Sequence, residues 1–171
     1  MNVVIAIIIL LGYTIALCVK GGGVPSSLSA SVFDLPKGER WIWTVILYAV
    51  CILVLFPFGL PHGVSFLDKV SENTQFLAFI AIAALAFVGA APLVADKTDL
   101  AYKAHCVAAV VCAVCSQLVL VFNQPLFLAC WIPWVFCFVD LWHSKQLSTW
   151  TTKVFWAEMV CFGSTFAYCL I

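Results

Sequence analysis

The sequence predicts an all-α fold, a polytopic integral membrane bundle of six transmembrane helices with both termini on the outer side (N-out/C-out). Six apolar runs, residues 2–19, 41–60, 75–95, 104–122, 126–142 and 154–171, are each close to the roughly 20 helical residues that cross a hydrocarbon core. Hydrophobic residues make up 65% of the 171 and charged residues 9%, against about 45–50% and 25% in soluble domains. Lipid, not water, must solvate such a chain. The runs are unbroken and do not alternate, which favours helices over barrel strands, because each helix satisfies its own backbone in the bilayer. One domain, 1–171, accounts for everything.

The distribution of basic residues orients the bundle. Of the 8 Lys and Arg residues, Lys20, Lys37, Arg40, Lys97, Lys103, Lys145 and Lys153 fall in or beside the loops after the first, third and fifth spans. Only Lys69 falls in the loops after the second and fourth. The positive-inside rule therefore places the loops after helices 1, 3 and 5 in the cytoplasm, with the protein in the plasma (inner) membrane.

The first run has no positive n-region beyond the free amine and no small-x-small cleavage pattern, so it reads as an uncleaved span. Gly21, Gly22 and Gly23 stop it. The long segment after it, from Val24 to Arg40, carries Leu28, Val32, Phe33 and Leu35, which predicts a loop folded back onto the membrane face. Trp41 and Trp43 mark an interface. The second span closes on Pro57 and Pro61, and 62–74 reads as a polar outer connection. Ala81, Ala84 and Gly89 in the third span face Ala104, Ala108 and Ala109 in the fourth, predicting a tight antiparallel pair. Asn123-Gln124-Pro125 makes a hairpin turn, and Pro133 should kink the fifth span.

All 9 cysteines lie inside apolar runs, where a free thiol packs as a small hydrophobe. Cys112 and Cys115 form a C-x-x-C, a spacing shared with redox and zinc sites. At mid-bilayer depth, however, packing is the better account. The formal net charge is zero and there is no basic tail, so nothing supports nucleic-acid binding.

Ionisable residues within or beside hydrocarbon are functional candidates by default. Asp96, His105, Asp140, His143 and Glu158 all fall toward the predicted cytoplasmic side, where the loop bearing Ser27 and Ser29 also ends. Asp140 and His143 share a helix face at i, i+3. Such a set could line a vestibule for a ligand, move protons, or hold a divalent metal through His105, His143 and Asp140. The plainer account is that the Asp and His residues mark helix ends at the headgroups, paired with Lys97, Lys103 and Lys145. Glu158 lies well inside the sixth span and needs a cation, a proton or a polar cavity. Ser116-Gln117 and Ser164-Thr165 read as interhelical glue. No nucleophile elbow, zincin, P-loop or dinucleotide fingerprint occurs.

Pro25-Ser26-Ser27-Leu28-Ser29 after the first span, with Ala104-His105-Cys106-Val107-Ala108-Ala109 opening the fourth, resembles small polytopic membrane families around the Frag/DRAM/Sfk group and bacterial DUF998. The resemblance implies that Ser27 or Ser29 stands for the family serine and His105 for the family histidine. The aspartate that usually follows that serine is replaced by Ala30 or Ser31. A more distant resemblance is to the CREST membrane hydrolases, which combine Ser, Asp and His around zinc.

Two functional expectations follow. The first is a protein that binds or translocates a lipid or small solute through a cytoplasm-facing polar vestibule lined by His105, Asp140, His143 and Glu158, with Asp96, Ser27 and Ser29 nearby. Its partners are membrane lipids, a lipid or small-molecule ligand, and further copies or subunits in a homo- or hetero-oligomer. The second is a membrane-embedded metal hydrolase acting on lipid headgroups or amides, in which His105, His143 and Asp140 hold zinc and Glu158 or Asp96 activates water; whether the chain is an enzyme is left open. A structural or assembly subunit stands beside both.

Overall fold

The computed structural model describes residues 2–55, 66–94, 100–136 and 152–171. Those residues are helical, with no strand among them. The elements are α1 (Asn2–Gly21), α2 (Leu28–Ser31), α3 (Arg40–Leu55), α4 (Phe66–Lys69), α5 (Gln75–Val94), α6 (Leu100–Asn123), α7 (Pro125–Phe136) and α8 (Lys153–Leu170). Four stretches are long and apolar enough to cross a membrane: Asn2–Gly21, Lys37–Leu55, Glu72–Leu93 and Leu100–Asn123. They match the first four predicted spans. The sixth predicted run, 154–171, forms the 18-residue α8, which is not among those four, its hydropathy lowered by Lys153 and Glu158. The fifth is described only to Phe136.

Local chemistry sets the helix ends. At the end of α1 Gly22 takes φ +69°, and the Gly23 N–H reaches the Cys18 carbonyl at 2.9 Å, a C-cap that only glycine adopts without strain. α7 opens as a 3₁₀ turn with Pro125 in its first turn and becomes α-helical at Trp131, two residues before Pro133.

α5 and α6 make the most extensive helix–helix contact, as their small-residue faces predict, and α3 packs on both α1 and α5. A Cβ built at Gly89 would stand 3.3 Å from Leu47 Cβ, so glycine is what lets α3 and α5 approach. Thr44 Oγ1 donates to the Gly89 carbonyl at 2.6 Å at the same crossing. On the far side, Gln117 Oε1 accepts from both Trp131 Nε1 (2.8 Å) and Ser164 Oγ (3.1 Å), tying α6, α7 and α8 together.

The connection after α1 and the described part of the one before α5 fold into the bundle. After α1, Leu28 and Val32 join the core cluster with Ala6, Leu10, Trp43 and Leu47. At the opposite end the 66–74 connection, expected to be merely polar, buries Phe66 and Val70. There Lys69 Nζ donates to the Cys169 carbonyl at 2.6 Å and Tyr168 Oη to the Lys69 carbonyl at 2.7 Å. Apolar side chains that leave a span still seek burial, and a short helix is the cheapest way to satisfy their backbone.

Candidate functional site

The end of the bundle that carries the serine-rich segment is closed by a carboxylate. Ser27 is extended (φ −153°, ψ 141°) and caps α2, its Oγ accepting from the Ala30 N–H at 3.1 Å. This turn aims the Leu28 and Ser29 N–H groups and the Ser27 and Ser29 hydroxyls at one point, which Glu158 of α8 occupies. Glu158 Oε1 accepts from Ser29 Oγ at 2.6 Å, from Ser27 Oγ at 3.0 Å and from the Ser29 N–H at 3.4 Å. Its Oε2 accepts from the Leu28 N–H at 2.5 Å and from Ser27 Oγ at 3.1 Å. The Phe155 N–H donates to the Ser26 carbonyl at 3.1 Å, a second tie between the cap and α8. A carboxylate offers about four acceptor positions, so these donors saturate it without a cation.

Behind the cap lies His105, fully buried at 0% exposure, its ring set against the Val88 and Ser29 backbone. Phe33 meets its ring edge-on at 5.0 Å between centroids, and Tyr102 stacks on it at 6.3 Å. Arg40 anchors this part of the cap, donating to the carbonyls of Phe33 (2.9 Å) and Leu35 (3.1 Å). Outside, Lys20 of α1 forms an exposed ion pair with Glu39.

Below the cap a cavity of about 110 Å³ runs through the centre of the bundle. Ser29, Glu158 and Trp43 border it on the side of the cap, Phe66 on the side of α4, and Cys51, Cys112 and Cys161 contribute thiols from three helices. Nearly all of the remaining lining is aliphatic or aromatic. Two of the lining residues carry a buried polar atom without a hydrogen bond, Trp43 (Nε1), only 1% exposed, and Thr165 (Oγ1); the Tyr13 hydroxyl, off the cavity with its ring 5.3 Å from that of Trp43, is a third such group.

The structure thus brings Ser27, Ser29 and Glu158 into direct contact, with His105 buried at the same end of the bundle. Asp96, Asp140 and His143, the other predicted vestibule residues, lie outside the described residues. Among the described residues no three His, Cys, Asp or Glu side chains are placed to share a metal ion. The described cysteines, Cys112 and Cys115 included, are free thiols. Sequence reading missed Trp43 and Thr165 as cavity groups. Only their position on buried helix faces, which single-sequence periodicity cannot resolve in a chain apolar all round, would have revealed them. No family model, characterised protein or solved structure shows significant similarity to this chain.

Proposed function

We propose that this chain is an integral membrane protein that binds a lipid or other small hydrophobic molecule in its central cavity, beneath a serine-rich cap latched by Glu158. In this reading the bundle has six spans, is N-out/C-out, and carries the cap on the cytoplasmic side, where the basic residues gather. The suspected kinship with the Frag/DRAM/Sfk and DUF998 families belongs to the same proposal. One observation carries it: an almost wholly apolar cavity at the centre of the bundle, bordered at the cap by Ser29 and Glu158. A void that tight packing would otherwise close costs stability, and apolar cavities of about 150 Å³ take up benzene-sized guests. The 110 Å³ here suits a segment of acyl chain or a small ring rather than a headgroup.

The hydrolase reading gains less. Glu158, one residue assigned to activate water, spends its acceptor positions on the cap. Mass spectrometry of the protein extracted in mild detergent tests the binding reading. About one hydrophobic molecule per chain should co-purify with the natural protein and be lost when Ala109→Phe fills the cavity. A clean spectrum from both, with equal melting temperatures, would reject it.

A further inference from the structure

The cavity has a recognition chemistry of its own, read from which of its polar groups are spent and which are not. Glu158 is spent, with both oxygens accepting from the cap. Ser29 is spent on Glu158, and Ser116 on the Ala113 carbonyl at 2.9 Å. The chain also shows what an intramembrane hydroxyl does by default: Thr14 bonds back to the Leu10 carbonyl at 2.8 Å, and Ser164 to the Cys161 carbonyl at 3.1 Å. Thr165, the next residue on α8, does neither. Trp43 departs further, because an indole N–H can only donate and almost always finds an acceptor when buried.

Charge narrows the ligand. The described lining holds one carboxylate and no Lys or Arg. An anionic guest would meet Glu158 without a compensating cation. A cationic guest would give up its hydration to an almost wholly apolar wall, with the carboxylate's acceptor positions already taken. What remains is an uncharged body that fits an aliphatic wall and brings an oxygen to an indole N–H.

Resting on the binding function proposed above, we infer that the cavity selects a neutral hydrophobic molecule carrying a hydrogen-bond acceptor, a carbonyl, ester or ether oxygen, and that Trp43 Nε1 reads that oxygen with Thr165 as a secondary partner. An unfilled donor in a dry site rejects a ligand lacking the acceptor more strongly than it rejects one of slightly wrong size.

Three photoreactive diazirine alkanes of matched length test this in lipid nanodiscs holding the full chain: one ending in a methyl ester, one in a methyl group, one in trimethylammonium. Crosslinks are mapped to peptides of α3, α6 and α8. The ester probe should label the cavity residues about three- to tenfold more than the hydrocarbon, the range one net hydrogen bond allows, and the ammonium probe least. Trp43→Phe, which keeps a ring but removes the donor, should bring ester labelling down to the hydrocarbon level. Thr165→Val should lower it by a smaller factor, and it carries the test if Trp43→Phe does not yield a monodisperse protein. Equal labelling by ester and hydrocarbon, unchanged in both variants, overturns the acceptor inference while leaving a hydrophobic site in place. Preferential labelling by the ammonium probe overturns the neutral class. Absence of cavity labelling by all three overturns the binding function itself.

Discussion

The latch between Ser29 and Glu158 makes a prediction whose size follows from its geometry. Ser29→Ala removes the shortest hydroxyl contact to the carboxylate, 2.6 Å, and leaves Oε1 with Ser27 Oγ at 3.0 Å and a long 3.4 Å contact from the Ser29 N–H. Hydrogen bonds to charged groups contribute about 1.5–3 kcal/mol each. The cap should therefore open about 10- to 150-fold more often, since each 1.4 kcal/mol is tenfold. Glu158→Ala goes further, because the two hydroxyls can turn to one another across 3.3 Å whereas the Leu28 and Ser29 N–H groups cannot. Two buried donors left unsatisfied cost about 1–3 kcal/mol apiece. Hydrogen exchange at the Leu28 and Ser29 amides reads the opening directly, and unfolding in mixed micelles gives the global figure. In a Glu158→Ala background, Ser29→Ala should cost only the neutral contact between the two hydroxyls, about 0.5–1.5 kcal/mol, less than in the natural chain. Additive effects of the two substitutions would refute the latch.

Other consequences follow from the same packing. His105→Leu removes ring nitrogens that lie against the Val88 and Ser29 backbone at little change in volume, so the melting temperature should fall by the equivalent of about 1 kcal/mol; no fall would mean that those contacts contribute nothing. Gly89→Leu drives a side chain into Leu47, only 3.3 Å from the glycine's Cβ position, and should destabilise by about 1–3 kcal/mol, part of it recovered by Leu47→Ala in the same chain. Gln117→Leu strips the acceptor from Trp131 and Ser164 and should cost about 1 kcal/mol, less when Trp131→Phe accompanies it. Cysteines placed at Lys37 and Glu72 should react with impermeant reagents from opposite faces of the membrane, Lys37 from the cytoplasm.

Much of the fold was legible because hydrocarbon thickness is a severe ruler. α1, α5 and α6 begin and end within a few residues of the apolar runs at 2–19, 75–95 and 104–122. The small-residue faces of α5 and α6 announced their pairing. The site was legible in part. Glu158 stood out as a charge in an apolar run and Ser27 and Ser29 as a polar cluster, but 129 or more residues separate the two groups. Nothing in a single sequence says that four donors of the cap would take the place of a cation. Phe66 and Val70 looked like connector residues because a short polar loop hides two buried side chains well. Tryptophan favours the interface, but nothing in the sequence says that Trp43, at 1% exposure, also borders the cavity.

In a bilayer, apolar contact between helices competes with equally apolar lipid, so packing alone chooses neither partner nor register. This chain places polar pins at several of its interfaces: Thr44 to the Gly89 carbonyl between α3 and α5, Gln117 with Ser164 and Trp131 among α6, α8 and α7. Asn123 reaches Thr74 at the far end of α5 and α6, Lys69 reaches Cys169 beneath α8, and Glu158 joins α8 to the cap. Each pin fixes a rotation and a height that Leu, Val and Ala leave free. Against that economy, Tyr13, Trp43 and Thr165 carry buried polar atoms without a hydrogen bond, and Trp43 and Thr165 border the central cavity. On the binding function proposed above, a guest in that cavity would supply the partner that the chain itself does not.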